Sequence, residues 1–480
     1  MIQAGNAIRT LADYYADPVV RLRMREYCGA TDSSHATCVY FTAVRGSDGP
    51  QPTWDRAPRF PVDAYAMLLG GGADVARSMW DRSSLLAHLD IDYQNVDFPG
   101  EPYHHPTEVF FKLEPVYRAI NHLLHRFGLP LLAVMTGRGY HFTGRVPLDS
   151  PVVDALAALS ADPPSWMVTV AERRPMWTHG DIDLRHARAY AGLGMLMEFL
   201  AHRILRRAQR ATPIPIVLNG TVVGSGLAGR ECVSLDISYA GDPLDVRHIR
   251  VAYGAYQKHR LRPDLVEHGG GAAERPPFVA LPRGDASLEY LLFHGRDLRH
   301  AARAARSIPA RLPMCTSGVA RLLDAYAPSP LARFHREFYA TPPGECASFD
   351  ALVRSPIWAR LPECVRSPLV EPNDRLLQPA VIQHVVRVLM SEGLPPRDVS
   401  GIVHSRYAAD VDWGNRWFWL DARTRAEFDV RVFAAMTATG LDRGVDFNCR
   451  SSQEKNLCPG RPCPQDLRVN RQRLLERLAS

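Results

Sequence analysis

The sequence has no apolar run that approaches the roughly 20 residues a helix needs to span a bilayer. Its first residues, MIQAGNAIRTLADYY, contain no apolar core of the kind found in a secretory signal peptide. It also contains no internal repeat and no low-complexity block. From these absences we expect a cytoplasmic protein that binds no membrane.

A strong charge of either sign is also missing. The chain has 57 Lys and Arg against 51 Asp and Glu, a net charge of +6. This balance permits a polyanionic partner without requiring one. Most of the basic residues are arginine, which suits bidentate contacts with phosphate, although a GC-rich genome produces the same bias. Charge alone therefore does not indicate a nucleic-acid-binding protein.

Cysteine is sparse. Nine cysteines in a chain expected in a reducing compartment do not indicate a disulfide framework, so those that cluster are better interpreted as metal ligands. Cys449, Cys458 and Cys463 lie within NCRSSQEKNLCPGRPC, and Cys364 lies far upstream in LPECVRSPL. This spacing differs from the paired CxxC knuckles of zinc ribbons. The four thiolates could still converge in the fold; a structural zinc site and unligated core cysteines stay open as alternatives.

The length of 480 residues exceeds what one hydrophobic core supports, so two or three domains are expected. The segment PSPLARFHREFYATPPGECAS is rich in Pro and Gly, as hinges often are, and we place a domain boundary near residue 345. Residues 300–340 are rich in Ala and Arg and are predicted to be helical. Residues 268–284 are rich in Gly and Pro and are predicted to form a loop.

The region between residues 35 and 145 is predicted to be a compact α+β unit. HATCVYFTAV predicts a strand, and EVFFKLEPVYRAINHLLHRFG predicts a helix that ends at Gly128. LPLLAVMTGRGYHFTGRV predicts two strands joined by a glycine-rich turn. Further along the chain, AYAGLGMLMEFLAHRILRRAQRA predicts an amphipathic helix.

Acidic residues occur within two apolar strand patterns. Asp90 and Asp92 in LLAHLDIDYQN are two residues apart, so both carboxylates point to one face of a strand. Asp236 in ECVSLDIS belongs to a second such strand and could bring a third carboxylate to the same sheet. Three carboxylates can hold a pair of Mg²⁺ or Mn²⁺ ions for phosphoryl transfer. Acidic residues at strand ends also commonly cap turns or face water.

Basic residues follow these strands. In TGRGYHF the glycines allow close approach of backbone to a phosphate, Arg138 offers a guanidinium and His141 opens the next strand. A tight β-turn with a structural histidine explains the same pattern. Arg250 and Lys258 in RHIRVAYGAYQKHRL are close enough to grip one triphosphate, although basic residues at a turn are usually only solvated.

Aromatic and arginine residues interleave in VDWGNRWFWLDARTRAEFD, which contains Arg416, Trp417 and Trp419. Such a pattern can stack bases and hold the phosphates of a single strand. Trp is also a common core residue. We predict a nucleic-acid contact at these three residues.

The order of the motifs resembles the catalytic core of the archaeo-eukaryotic primase superfamily, over roughly residues 35 to 260. The shared pattern is a strand with Asp-x-Asp, a Gly-rich turn ending in His, and an apolar-Asp strand followed by Arg and Lys. The resemblance implies that Asp90, Asp92 and Asp236 bind the catalytic Mg²⁺ or Mn²⁺ ions. It implies that Arg138, His141, Arg250 and Lys258 bind the nucleoside triphosphate. Gly254 and Tyr256 stand where the family often has Ser and His.

The cysteine pattern is similar to the iron-sulfur domain of the primase large subunit. That resemblance implies one [4Fe-4S] cluster on Cys364, Cys449, Cys458 and Cys463, with structural Zn²⁺ as the alternative. The expected fold is α+β: a catalytic domain over residues 1–300 with antiparallel or mixed sheets, a helical linker over 301–345, and a mainly helical iron-sulfur domain over 346–480.

Together the two resemblances imply a DNA primase-polymerase, a nucleotidyltransferase that makes primers on single-stranded DNA from ribo- or deoxynucleoside triphosphates. Expected partners are the template strand, the nucleotides, and a helicase or other replication proteins. Two other classes stay open. One is a gap-filling polymerase or terminal transferase that only extends primers, and the other is a non-catalytic nucleic-acid-binding module.

Overall fold

The computed structural model describes residues 8–29, 36–44, 58–160, 183–220, 230–241, 248–257, 278–411, 413, 421–461 and 463–479. Within these ranges, no helix combines the length and the apolar character needed to cross a membrane.

Twelve strands occur in the described ranges. They are β1 Phe41–Val44, β2 Arg59–Phe60, β3 Asp74–Ser78, β4 Ser84–Asn95, β5 Leu132–Met135, β6 Gly139–Pro147, β7 Ile216–Leu218, β8 Glu231–Asp236, β9 His248–Arg250, β10 Ala255–Tyr256, β11 Phe278–Val279 and β12 Leu281–Pro282.

Eighteen α-helices occur in the same ranges. They are α1 Leu11–Ala16, α2 Pro18–Tyr27, α3 Tyr65–Gly70, α4 Glu101–His104, α5 Pro106–Phe127, α6 Pro151–Ala157, α7 Leu184–Ala208, α8 Leu288–His294, α9 Leu298–Ser307, α10 Thr316–Tyr326, α11 Pro330–Ala340, α12 Phe349–Arg354, α13 Glu363–Val370, α14 Pro379–Ser391, α15 Pro396–Tyr407, α16 Ala422–Ala438, α17 Cys449–Glu454 and α18 Leu467–Ala479.

The largest sheet has six strands in the order β12-β5-β6-β4-β8-β7. Its pairs are antiparallel except for the parallel pair β7 and β8. A four-stranded sheet has the order β2-β1-β3-β9, and β10 pairs with β11 alone. Beyond β12, the described elements are helical. The predicted α+β class with antiparallel and mixed sheets is therefore confirmed.

Helix α5 packs on the apolar face of the six-stranded sheet. The Tyr117 ring of α5 lies 4.8 Å from Tyr140 and 5.7 Å from Phe142, both on β6. Alternation along a strand puts Tyr140 and Phe142 on one face and His141 on the other. The side of the sheet that carries His141 is therefore the side turned away from α5.

The end of α5 is where the sequence predicts it. Gly128 adopts φ 52° and its backbone N–H donates to the carbonyl oxygens of Leu124 and His125. This left-handed cap is the conformation that glycine supplies at helix ends. The chain then enters β5, so this cap fixes where β5 begins.

One expectation is wrong. The last part of the predicted loop 268–284 contains strands β11 and β12. Pro282 has no N–H, but a proline is tolerated on the outermost strand of a sheet, and β12 is that strand, paired with Val134 and Met135. Tertiary pairing therefore overrides the Gly/Pro composition here.

A buried ion pair joins α7 to the C-terminal helices. Arg431 Nη2 of α16 lies 2.8 Å from Glu198 Oε2 of α7, and His335 Nε2 of α11 lies 3.2 Å from Oε1. Burial raises the pKa of Glu198, but the charges of Arg431 and His335 and the hydrogen bond with His335 together outweigh burial, and the pKa falls well below its usual range. Glu198 is therefore ionised at neutral pH, and its charge is compensated by Arg431 from the C-terminal half.

The segment predicted as a helical linker, 301–345, contains most of α9 and all of α10 and α11. Tyr326 and His335 of this segment are buried, and their side chains are hydrogen-bonded at 2.8 Å. The division of the chain into domains stays a prediction.

Candidate functional site

Asp90 is the centre of a row of three polar residues on adjacent strands. It is the register partner of His141 on β6 and, on its other side, of Asp236 on β8. Directly opposed residues on antiparallel strands share a face, with Cβ atoms about 4.5–5.5 Å apart. The structure thus brings together two carboxylates and an imidazole that are far apart in sequence.

The imidazole of this row lies against the central carboxylate. His141 Nε2 is 3.5 Å from Asp90 Oδ1, and both side chains are largely buried. A second histidine, His88, lies two residues before Asp90 on β4 and therefore on the same face of the sheet. The centre of its ring is 5.3 Å from that of His141, and the two rings meet edge to face. A 2.8 Å hydrogen bond to the Thr143 hydroxyl fixes the His88 ring. The His141 ring therefore packs against a neighbour of fixed orientation.

Asp92 is on the same face, two residues beyond Asp90, and it forms an ion pair with Arg138. Arg138 belongs to the turn between β5 and β6, so the predicted phosphate-binding turn folds back over the acidic strand. The Arg138 side chain remains partly exposed. The turn therefore places its cation beside the carboxylates and within reach of solvent.

Gly139 makes this close approach possible. It is the register partner of Asp92, and a Cβ at this position would overlap the carbonyl oxygen of Ile91 and lie 2.7 Å from its carbonyl carbon. Strands β4 and β6 could not keep their separation with any larger residue there. The glycine that the sequence associates with a phosphate is thus also required by strand packing.

We expect Gly139→Ala to cost about 3 kcal/mol or more of stability, because the added methyl group must push β4 and β6 apart. The measurement is the yield of folded protein and its thermal midpoint. Gly70→Ala is the matched control, since a Cβ there meets no heavy atom within 4 Å. That control should change stability by less than about 1 kcal/mol. Equal behaviour of the two variants would contradict the close approach.

Two carboxylates facing each other across β4 and β8 repel when no cation is bound. We expect Asp236→Asn to increase the free energy of unfolding in EDTA by up to about 1 kcal/mol. The thermal midpoint should therefore rise slightly. The substitution keeps the side-chain oxygen that accepts the Ser238 N–H at 2.8 Å. Excess Mn²⁺ should stabilise the wild type more than the variant, and an equal gain in both proteins would contradict a metal site at Asp236.

Arg250 lies on β9 in the four-stranded sheet. Its Nε and Nη2 atoms are 3.0 and 3.2 Å from the two carboxylate oxygens of Asp74, which is fully buried. Its guanidinium also lies 4.2 Å from the centre of the Tyr256 ring. Arg250 is thus bound within the protein, and its role in triphosphate binding stays a prediction. Lys258, the other predicted contact, lies outside the described residues.

Two tyrosines, neither of them predicted as a site residue, connect Arg250 to the turn between β5 and β6. The Tyr256 ring would be 2.6 Å from a Cβ on Gly137, and its hydroxyl is 2.8 Å from that of Tyr103 on α4. Burial raises the pKa of Tyr103 and raises that of Tyr256 well above its usual range, so both remain protonated. Tyr256 lies within RHIRVAYGAYQKHRL, so that stretch could have drawn attention to it. Nothing in the sequence around Tyr103 indicates that it belongs to the site.

The four predicted cysteine ligands lie in the C-terminal half, up to 99 residues apart in sequence. Cys364 lies at the start of α13, and Cys449 is the first residue of α17. Burial, with smaller contributions from the charges of Cys458, Cys463 and Cys449, raises the pKa of the Cys364 thiol to about 12. Soft thiolate donors suit an iron-sulfur cluster or Zn²⁺.

Polar groups lie close to three of these thiols. His384 Nε2 on α14 lies 3.0 Å from Cys364 Sγ, and this histidine is buried against Phe447. Cys449 Sγ is 3.9 Å from Asp466 Oδ1, and Cys463 Sγ is 3.8 Å from the Gln465 carbonyl oxygen. His384 is a further residue that sequence reasoning missed.

Across the described part of the chain, no group of three or more His, Cys, Asp or Glu side chains is arranged so that it could hold a metal ion. The ligand assignments therefore stay predictions, supported by strand register and by donor chemistry. Arg416, Trp417 and Trp419, the predicted nucleic-acid contacts, lie outside the described residues.

Fold and site define an α+β protein with a row of carboxylates and a histidine on a mixed sheet and a group of cysteines among its C-terminal helices. No protein-family model, curated protein or solved structure matches the chain.

Proposed function

We propose that the chain is a DNA primase-polymerase that makes primers on single-stranded DNA from nucleoside triphosphates. The observation that carries the proposal is the double pairing of Asp90, which has Asp236 on one side and His141 on the other. A structural role alone does not explain why two partly buried carboxylates lie directly opposite each other, because like charges in that position repel. A role in binding a cation does explain it.

Asp90, Asp92 and Asp236 are the residues that would hold Mg²⁺ or Mn²⁺. The donor set fits, because these ions prefer carboxylate oxygens and all three residues lie on one face of the sheet. Bound there, the ions would activate a 3′-hydroxyl and neutralise charge on the α-phosphate. The rigid strands β4 and β8 keep the carboxylates in place without reorganisation.

Arg138 and His141 orient the nucleotide in this proposal. Arg138 exchanges its ion pair with Asp92 for the triphosphate when a nucleotide enters, and His141 contacts a phosphate oxygen beside Asp90. The 3′-hydroxyl oxygen then forms a bond to the α-phosphorus, the bond to the β-phosphate breaks, and pyrophosphate leaves. The hydroxyl proton passes to water.

Arg250 supports this site through its neighbours. Held by Asp74, it fixes the Tyr256 ring against Gly137 and so limits the positions that the catalytic turn can adopt. Arg250 and Lys258 remain the further proposed contacts with the triphosphate.

We further propose that Cys364, Cys449, Cys458 and Cys463 hold a [4Fe-4S] cluster, with Zn²⁺ as the alternative. The support is that the charges of the other three thiols contribute to the raised pKa of Cys364, together with the donor chemistry of thiolates. In this arrangement the C-terminal half holds the second nucleotide that unprimed synthesis needs.

The test is nucleotide incorporation by the full chain on single-stranded DNA, with and without an annealed primer. Short products without a primer would support a primase. Extension only with a primer would contradict priming and indicate a gap-filling polymerase or terminal transferase. Binding to DNA without any product would overturn the enzymatic proposal in favour of a binding module.

A further inference from the structure

Four aromatic side chains stack on one another at the surface formed by α8 and α9. The ring centres of Tyr290 and His294 are 3.7 Å apart at an interplanar angle of 18°. Those of Phe293 and His300 are 4.5 Å apart at 23°. Phe293 also meets His294 edge to face at 5.2 Å. One stacked pair, Phe293 with His300, therefore joins the two helices.

Phe293 is the outermost ring of this group. Its side chain is 60% exposed, whereas Leu288, Leu291 and Leu292 of the same helix are buried. His300 covers one face of the Phe293 ring, and most of the remaining surface is in solvent. An aromatic ring that is stacked on one face and exposed on the other can stack with a second planar group.

Positive charge predominates near the rings. Arg299 and Arg303 are exposed and lie one turn apart on α9, and exposed Arg296 lies in the turn between the helices. Of the two acidic residues in these helices and their turn, Asp297 caps α9 by accepting the N–H groups of Arg299 and His300, and Glu289 is exposed on α8. An anionic partner with flat groups is complementary to this surface.

Helices α8 and α9 are connected to the turn between β5 and β6 through hydrogen bonds and through packing of Tyr256. The Val279 N–H on β11 donates to the Gly295 carbonyl at 2.7 Å, and Phe278 on β11 pairs with Tyr256 on β10. Tyr256 in turn packs on Gly137. Arg296 also donates to the Thr107 hydroxyl at 3.3 Å, at the start of α5. These contacts link α8 and α9 to Gly137, in the turn that carries Arg138.

We propose that Phe293, His294, Arg296, Arg299, His300 and Arg303, hereafter the Phe293 surface, bind single-stranded nucleic acid. An unpaired base stacks on Phe293, and the arginines contact the adjacent phosphates. Duplex DNA is a poorer occupant, because its bases are already stacked. The inference rests on the proposed function and assigns the template a surface on α8 and α9.

The experiment measures binding of the full chain to a fluorescein-labelled oligothymidylate by anisotropy at several salt concentrations. We expect Phe293→Ala to weaken binding about fivefold or more, while Phe293→Trp, which keeps a ring, binds like the wild type. Replacing both Arg299 and Arg303 by Ala should weaken binding and reduce the slope of log affinity against log salt by about 1.4.

Met67→Ala is the matched control, because Met67 is a similarly exposed apolar residue, at 57%, on α3. It should leave both affinity and salt dependence unchanged. An affinity of Phe293→Ala equal to that of wild type would overturn the Phe293 surface, even if the protein synthesises primers. Conversely, loss of affinity in Phe293→Ala in a protein that makes no product would support the surface and contradict the proposed activity.

Discussion

Replacing Asp90 by Asn should reduce nucleotide incorporation by at least about a hundredfold. Among the described residues, Asp90 is the carboxylate that pairs with both Asp236 and His141. In the proposed function its charge therefore contributes to the binding of each metal ion at these carboxylates. The Asn side chain has nearly the same volume, and the fold should persist. The measurement is the initial rate of primer extension with Mg²⁺ and with Mn²⁺, together with the thermal midpoint.

Asp97→Asn is the matched control for this experiment. Asp97 follows β4 closely, but it is exposed and forms an ion pair with Arg230 instead of facing the row. It should retain the wild-type rate. Incorporation by Asp90→Asn at close to the wild-type rate would place the catalytic metals, or the reaction, elsewhere.

Replacing Cys458 by Ser should remove most of the bound metal and lower the thermal midpoint by about 5 °C or more. Metal binding stabilises only the folded arrangement in which the four thiolates meet, so its free energy adds to that of folding. The measurements are iron, sulfide and zinc content per chain and thermal unfolding. About four irons with matching sulfide indicate the cluster, and zinc without iron indicates the alternative.

The control for the cysteine experiment is Cys346→Ser. This partly exposed cysteine is outside the group that influences Cys364. It should keep the wild-type metal content and stability. If the wild-type protein binds neither iron nor zinc, or if Cys458→Ser binds as much metal as wild type, the metal assignment of these thiols is wrong.

Local signals explain what could be predicted from the sequence. Gly128 ends α5 because glycine adopts the left-handed cap, and the two-residue spacing puts Asp90 and Asp92 on one face of β4. The apolar pattern around Asp236 likewise predicts a strand, and β8 ends at that residue. These signals depend only on neighbouring residues.

Strand register is a tertiary property and could not be predicted in the same way. A slip of one residue between β4 and β8 would turn Asp236 to the opposite face from Asp90, and nothing local fixes that pairing across 146 residues of chain. The Asp74 partner of Arg250 is 176 residues away. The stacking of Phe293 on His300 likewise depends on how α8 and α9 meet.

The most direct test of the account is Mn²⁺ binding followed by electron paramagnetic resonance in the presence of a non-hydrolysable nucleoside triphosphate. Wild type and Asp97→Asn should immobilise equal amounts of Mn²⁺, and Asp90→Asn and Asp236→Asn should immobilise less. Equal binding by all four proteins would contradict a metal site on the carboxylate row, and with it the proposed nucleotidyl transfer.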